Sequence, residues 1–181
     1  MKKIGLIVGS LRKESWNRKI AQVVKGMFPE AYDVDFIEIG DLPLYNEDFE
    51  APGMEPASYA PFRKQVEESD GFIFFTPEYN RSVPPAIKNA IDVGSRPYGE
   101  SKWGGKPAAV ASASIGTSGG MEGNMALRQN FIFTDLIPLQ QPEVYLAGVA
   151  DLFDEKGEMV EDTKEFLQNF VDAFVRHVER F

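Results

Sequence analysis

Residues 4 to 17 read IGLIVGSLRKESWN, an apolar run that ends at a glycine and passes into a polar turn. Ile4 to Val8 would be apolar on both faces, as in a strand buried within a parallel sheet. Beyond the turn, apolar residues recur at helical spacing, namely Trp16, Ile20, Val23, Val24 and Met27. The stretch therefore predicts a strand, a short loop and a helix.

The same alternation continues along the chain. Further strand candidates are Val34 with Phe36, Phe72 to Phe75, Ala108 to Ala111, and Val144 to Leu146. Helical spacing follows each of them, and Leu42 to Pro61 is interpreted as a loop. Five β-α repeats predict an α/β fold, a flavodoxin-like doubly wound open sheet of five parallel strands with helices on both faces. We expect one domain over residues 1–181.

Composition excludes several classes of protein. The chain has 28 acidic and 19 basic residues and a net charge of −9, which argues against a nucleic-acid partner. Cysteine is absent and there is one histidine, so we expect no metal site, thiolate nucleophile or Ser-His-Asp triad. We predict that His177 lies on the exposed side of the last helix.

No apolar run is long enough to span a membrane, so no membrane partner is expected. Met1-Lys2-Lys3 resembles the start of a signal peptide, but the apolar run that follows is too short for one. A cytoplasmic location is therefore predicted.

Ligands of such sheets bind beyond the carboxyl ends of the strands. The first informative turn is Gly9 to Asn17, where Ser10, Ser15 and Asn17 precede or begin a helix. Free N–H groups at a helix start can hold a phosphate, and Arg12 adds positive charge. Ser15 is also a typical helix cap, and that interpretation stays open. The turn lacks both the dinucleotide fingerprint and the P-loop.

The second turn is Thr76 to Pro85, where prolines at both ends would stiffen the backbone and Tyr79 offers a flat face. The third is Ser112 to Gly120, whose small residues would let backbone approach a ligand. An ordinary proline-rich connection and an ordinary flexible turn are the alternatives. We expect all three turns to meet at one edge of the sheet.

These motifs resemble those of the NADPH-dependent FMN reductase family, which includes flavodoxin-like quinone, chromate and azo reductases. The resemblance is carried by Gly9-Ser10-Leu11-Arg12 with Ser15 and Asn17, by Pro77-Glu78-Tyr79-Asn80 with Ser82 and Pro84, and by Lys88-Asn89-Ala90-Ile91-Asp92. It runs from the first strand to at least Pro142.

The resemblance implies FMN as the cofactor and NADPH or NADH as the co-substrate. Ser10, Arg12, Ser15 and Asn17 would surround the FMN phosphate. Pro77, Glu78, Tyr79 and Asn80 would line the isoalloxazine, largely through backbone groups, and Ser114 and Gly116 would face it from the third turn. Some relatives have serine where Ala113 stands, which leaves the contacts of that turn open.

No protein residue is assigned a catalytic role, because hydride transfer would occur at N5 of the flavin. The implied activity passes electrons from NAD(P)H to quinones or similar small acceptors, with azo compounds, chromate and free flavin as further candidates. The resemblance also implies a homodimer or homotetramer, with the 88–92 and 125–133 helices at the dimer interface. Arg12, Lys13 and Arg81 would suit the phosphates of a pyridine nucleotide.

Three other functions are compatible with the fold. A flavodoxin-type electron carrier would suit the strong acidity. A binding module could have kept the fold and lost the flavin. A hydrolase or transferase would need a nucleophile and base, for which the sequence offers no convincing pair.

Overall fold

A computed structural model describes residues 1–181 as strands and helices in alternation. The strands are β1 Lys2–Val8, β2 Tyr32–Phe36, β3 Gly71–Thr76, β4 Pro107–Ala113, β5 Ile137–Pro138 and β6 Val144–Leu146. The helices are α1 Trp16–Lys25, α2 Tyr59–Glu68, α3 Pro85–Gly94, α4 Met121–Thr134 and α5 Glu161–Val178, with short 3₁₀ turns at Glu47–Glu50 and Val149–Leu152. No helix combines the length and apolarity needed to cross a bilayer.

All strand pairs are parallel, in the order β2-β1-β3-β4, with β5 and β6 both beside β4. This is the flavodoxin strand order. The α/β prediction is therefore confirmed, with two corrections. The predicted fifth strand, Val144 to Leu146, is present as β6, and a further two-residue strand, β5, pairs with the start of β4 whereas β6 pairs with its end. Helix α2 begins at Tyr59, within the segment interpreted as a loop.

The sheet separates two apolar cores. Alternate residues of each central strand face opposite sides, so Ile73 and Phe75 pack toward α1 and α5 while Phe72 and Phe74 pack toward α2, α3 and α4. All four of these residues are fully buried. A strand with both faces covered explains the continuous apolar runs in the sequence. The packed sheet in turn holds the strand ends in place.

His177 contradicts the sequence prediction. Its side chain is buried, and Nε2 lies 2.9 Å from the carbonyl oxygen of Ile137. The last turn of α5 packs against β5, a two-residue strand that the sequence pattern did not reveal. The apolar residues of α5 predict which side of the helix is buried, but they do not indicate that β5 also buries the polar His177 beside them.

Candidate functional site

The first turn presents a row of unused backbone donors. No backbone N–H from Ser10 to Asn17 donates a hydrogen bond within the protein. Ser15 caps α1, since its Oγ accepts from the backbone N–H of Arg18 at 3.2 Å. The capping interpretation of Ser15 is thus confirmed. Its hydroxyl hydrogen is not needed for the cap, and neighbouring amides stay available at the positive end of the helix.

Asn17 joins the first turn to the third. Its side chain is buried, and Nδ2 donates to the carbonyl oxygen of Ala113 at 3.3 Å. Its Oδ1 is buried without a hydrogen-bond partner. A buried acceptor left unpaired costs free energy, so it indicates a position where a ligand's donor would fit.

The first turn also lies against the second. The N–H of Gly9 donates to the carbonyl oxygen of Phe75 at 2.8 Å. A Cβ atom at Gly9 would stand 2.8 Å from Cγ of Pro84 and 2.5 Å from Cδ1 of Ile87. Glycine is therefore required where β1 ends, because the start of α3 comes too close for any side chain.

The second turn is a tight hairpin. Tyr79 and Ser82 exchange two backbone hydrogen bonds of 3.0 Å, and the residues between them, Asn80 and Arg81, have φ of 51° and 64°. Two consecutive left-handed residues define a type I′ turn, an unfavourable conformation for arginine. The backbone N–H groups of Glu78, Asn80 and Arg81 donate to no protein acceptor. Backbone strain at such a turn is typical of functional loops.

The Glu78 carboxylate binds the start of α4. Its Oε2 accepts from the backbone N–H groups of Glu122 and Gly123 at 3.1 and 3.3 Å. A Cβ atom at Gly123 would lie 3.1 Å from Cα of Glu78, so the helix and the turn are in close contact. The side chain of Glu78 thus attaches the second turn to α4, while its backbone N–H stays unpaired.

The three cations singled out in the sequence differ in their surroundings. Arg81 is ion-paired with Glu122 and lies 3.9 Å from Glu78. Arg12 and Lys13 are exposed and form no ion pair, whereas the next cation along the chain, Arg18, pairs with Glu38. Of the three turns, the first is therefore the one that carries cations without an ion pair.

The third turn is closed by its own hydrogen bonds. The N–H of Ser114 donates to Leu146, and the N–H of Gly116 donates to Ser114 Oγ at 3.2 Å. Beneath it, the fully buried Asn124 donates to Ser112 Oγ at 3.3 Å. Asn124 and the α4 amides were not singled out from the sequence. The glycine pair before α4 is the signal that could have indicated a helix start at this edge.

The predicted meeting of the three turns is confirmed by these contacts. The first turn contacts the other two through Gly9 and Asn17, and α4 packs against the second through Gly123. The ten residues singled out as candidates all lie on these turns: Ser10, Arg12, Ser15, Asn17, Pro77, Glu78, Tyr79, Asn80, Ser114 and Gly116.

A parallel sheet in this order, with unpaired amides at its carboxyl edge, defines a flavodoxin-like protein. Residues 2–151 match the family model described as NADPH-dependent FMN reductase. The chain therefore belongs to the NADPH-dependent FMN reductase family.

Named relatives agree with that assignment. A quinone reductase of Pseudomonas putida is 51% identical over 97% of this chain and 94% of its own length. A 2-hydroxy-1,4-benzoquinone reductase of a Burkholderia species is 40% identical over 97% of this chain and 96% of its own. FerB, a flavoenzyme NAD(P)H:(acceptor) oxidoreductase from Paracoccus denitrificans, superposes with a TM-score of 0.91 at 39% identity, covering 99% of this chain and 98% of FerB.

Proposed function

We propose that this chain is an FMN-dependent NAD(P)H oxidoreductase that reduces quinones or similar small acceptors. Azo compounds, chromate and free flavin are further acceptors within the same proposal. Family membership supports an enzyme with FMN as its cofactor and NAD(P)H as its co-substrate. The names of the relatives from Pseudomonas putida and Burkholderia support a quinone as the acceptor.

The observation that carries the proposal is the row of unpaired amides from Ser10 to Asn17. A phosphate needs several donors and no acceptors, and this turn supplies them beside the free cation of Arg12. The ribityl chain of FMN carries hydroxyl donors, which match the unpaired buried oxygen of Asn17. The residues present therefore fit FMN.

The second turn would bind the flavin ring. The N–H groups of Glu78, Asn80 and Arg81 are fixed donors, and fixed donors stabilise negative charge without reorganising. Tyr79 is 45% exposed and presents a flat surface beside them. When bound, FMN would supply the redox chemistry, accepting a hydride from NAD(P)H and passing the electrons to the acceptor.

The protein residues would bind and orient the reactants and would not transfer protons. Glu78 is the one carboxylate on the ring-binding turn, and its Oε2 already accepts two hydrogen bonds at the start of α4. The absence of cysteine and the burial of the sole histidine are compatible with this division of labour.

The test uses the purified chain loaded with FMN under anaerobic conditions. We expect NADPH or NADH to bleach the bound flavin at a rate that supports turnover, and a quinone to restore the colour. Flavin that binds but is not bleached by either nucleotide would favour a flavodoxin-type carrier. Failure to bind FMN would contradict the whole proposal.

Three further features stay predictions. These are a homodimer or homotetramer, a cytoplasmic location and a single domain over residues 1–181. The preference for NADPH or NADH is measured in the same experiment, by comparing the rates at which the two nucleotides bleach the bound flavin.

A further inference from the structure

An apolar pocket of about 270 Å³ lies next to the candidate flavin site, on the side toward β2. It is enclosed by the first turn, the segment 39–44 and the start of α3. Its apolar lining comprises Leu11, Ile39, Leu42, Leu44, Tyr79 and Ala86. We call it the β2-side pocket.

The outer wall of the pocket is fixed in place. Oδ1 of Asn89 accepts from the N–H of Tyr45 at 2.8 Å, and its Nδ2 donates to the carbonyl oxygens of Leu42 and Pro43 at 3.1 and 2.9 Å. The hydroxyl of the buried Tyr59 also donates to Pro43, at 2.9 Å. The amide groups of Asn89, which lines the pocket, are engaged by this wall, so the side of the pocket away from Arg12 offers mainly apolar side chains to a ligand.

Apolar side chains are left exposed around the mouth. Leu11 is 58% exposed, Leu44 is 75% exposed and Tyr79 is 45% exposed. Single exposed apolar residues are ordinary, but three that border one preformed cavity indicate a ligand that covers them. A Cβ atom added at Gly40 would lie 3.5 Å from Cδ2 of Leu11, so the border is continuous with the first turn.

Resting on the proposed function, we propose that the β2-side pocket holds the apolar side chain of a substituted quinone. The quinone ring would then lie beside Tyr79, which lines the pocket and belongs to the ring-binding turn. A pyridine nucleotide suits the pocket less well than an alkyl chain, because its sugars and phosphates need several polar partners and most of the lining is apolar. The only charged side chain that lines it is Arg12, which also borders the first turn.

The experiment compares two acceptors with one head group, 2,3-dimethoxy-5-methyl-1,4-benzoquinone with and without a decyl chain. Each buried methylene favours binding by about fourfold, so burial of even part of the chain exceeds tenfold. We expect the FMN-loaded wild type to show at least about a tenfold higher kcat/KM for the decyl quinone. Equal values for the two quinones, with normal turnover of both, would overturn the inference and leave the proposed function intact.

Two variants change the pocket without touching the flavin-binding turns. Leu44→Ser removes an exposed apolar wall, and Ala86→Phe fills the interior from the first turn of α3. We expect either change to lower the decyl preference by about tenfold, with the FMN dissociation constant and the turnover of the unsubstituted quinone unchanged. Met54→Ser, another exposed apolar residue at 57%, is the matched control and should leave the preference unchanged.

A binding measurement does not depend on turnover. In protein with labelled leucine methyl groups, the decyl quinone should shift the Leu42 and Leu44 signals, and the unsubstituted quinone should not. Shifts with both quinones or with neither would contradict the inference. A loss of FMN affinity or a raised KM for NAD(P)H in Leu44→Ser would instead assign the pocket to the flavin or the nucleotide, and would also overturn it. Absence of NAD(P)H oxidation with any acceptor is the separate outcome that refutes the proposed function.

Discussion

At the residue scale, the Glu78 side chain anchors the second turn of the candidate site to the start of α4. Its carboxylate accepts two hydrogen bonds from α4, and hydrogen bonds to a charged group contribute about 1.5–3 kcal/mol each. The negative charge also lies at the positive end of the helix. The turn that this contact anchors contains the two positive-φ residues Asn80 and Arg81.

Glu78→Ala should therefore weaken FMN binding. Without the anchor, the N–H groups of the second turn lose their fixed directions, and we expect the FMN dissociation constant to rise by about tenfold or more. Glu78→Gln keeps one acceptor oxygen and should show a smaller rise. Flavin fluorescence titration measures both constants.

Glu155→Ala, an exposed glutamate far along the chain, is the control for loss of charge. Equal FMN affinity in wild type and Glu78→Ala would show that the turn holds its shape without the anchor.

At the scale of elements, a polar network joins the segment after β2 to the end of α3. The Tyr45 hydroxyl donates to Glu50 Oε1 at 2.6 Å, and Arg96 Nε donates to the same oxygen at 2.7 Å. The hydrogen bond from Arg96 and, to a lesser extent, the one from Tyr45 lower the pKa of Glu50. Burial and, to a lesser extent, the hydrogen bond to Glu50 raise the pKa of Tyr45 to about 12. The network and Asn89 together attach this long segment to α3.

Stability should depend on pH through this network at both ends of the range. Folding favours the ionised form of Glu50. Its contribution to the free energy of unfolding is therefore fully present above the ordinary carboxyl pKa of about 4.3, and it is lost as pH falls through the lowered pKa. The protonated form of Tyr45 is favoured, so its contribution is present below about pH 10 and is lost as pH rises through about 12.

Urea denaturation of wild type and Glu50→Gln tests this expectation. The difference between their midpoints should be constant from about pH 6 to pH 9 and should shrink below about pH 4. Glu155→Gln serves as the exposed control and should match wild type throughout. An undiminished difference at pH 3 would rule out Glu50 as the titrating group.

At the scale of the whole molecule, α4 carries apolar side chains that the fold does not bury. Ile132 is 85% exposed and Phe133 is 87% exposed, and Phe133 borders the same surface depression as the paired Lys88 and Asp92 of α3. These are the two helices that the family resemblance places at a dimer interface. Two large adjacent apolar residues at this exposure are compatible with a self-complementary contact.

Phe133→Asp should therefore shift the chain toward monomer. Burial of a phenylalanine contributes about 1.5–3 kcal/mol, and a two-fold interface contains two copies, so we expect the dimer dissociation constant to rise by at least about a hundredfold. Light scattering coupled to size exclusion measures the change, with Met54→Asp as the control. A monomeric wild type would refute the predicted assembly.

The amino-acid sequence alone determined the fold class and the location of the candidate turns. Its apolar runs, such as Phe72 to Phe75, predict strands with both faces covered, and the alternation with helical spacing predicts the parallel sheet. These signals are local, because each depends on residues within a few positions of one another. The residues after Gly9 and Thr76 could be singled out for the same reason.

Only the tertiary structure decided which side chains face which partners. The burial of His177, the pairing of the short strand β5 and the attachment of Glu78 to α4 all depend on residues about 30 to 45 positions apart in the chain. The unpaired Oδ1 of Asn17 appears only when the first and third turns meet, 96 residues apart. Hydrogen bonds and burial depend on distance in space, and local periodicity contains no information about contacts between elements that are distant in sequence.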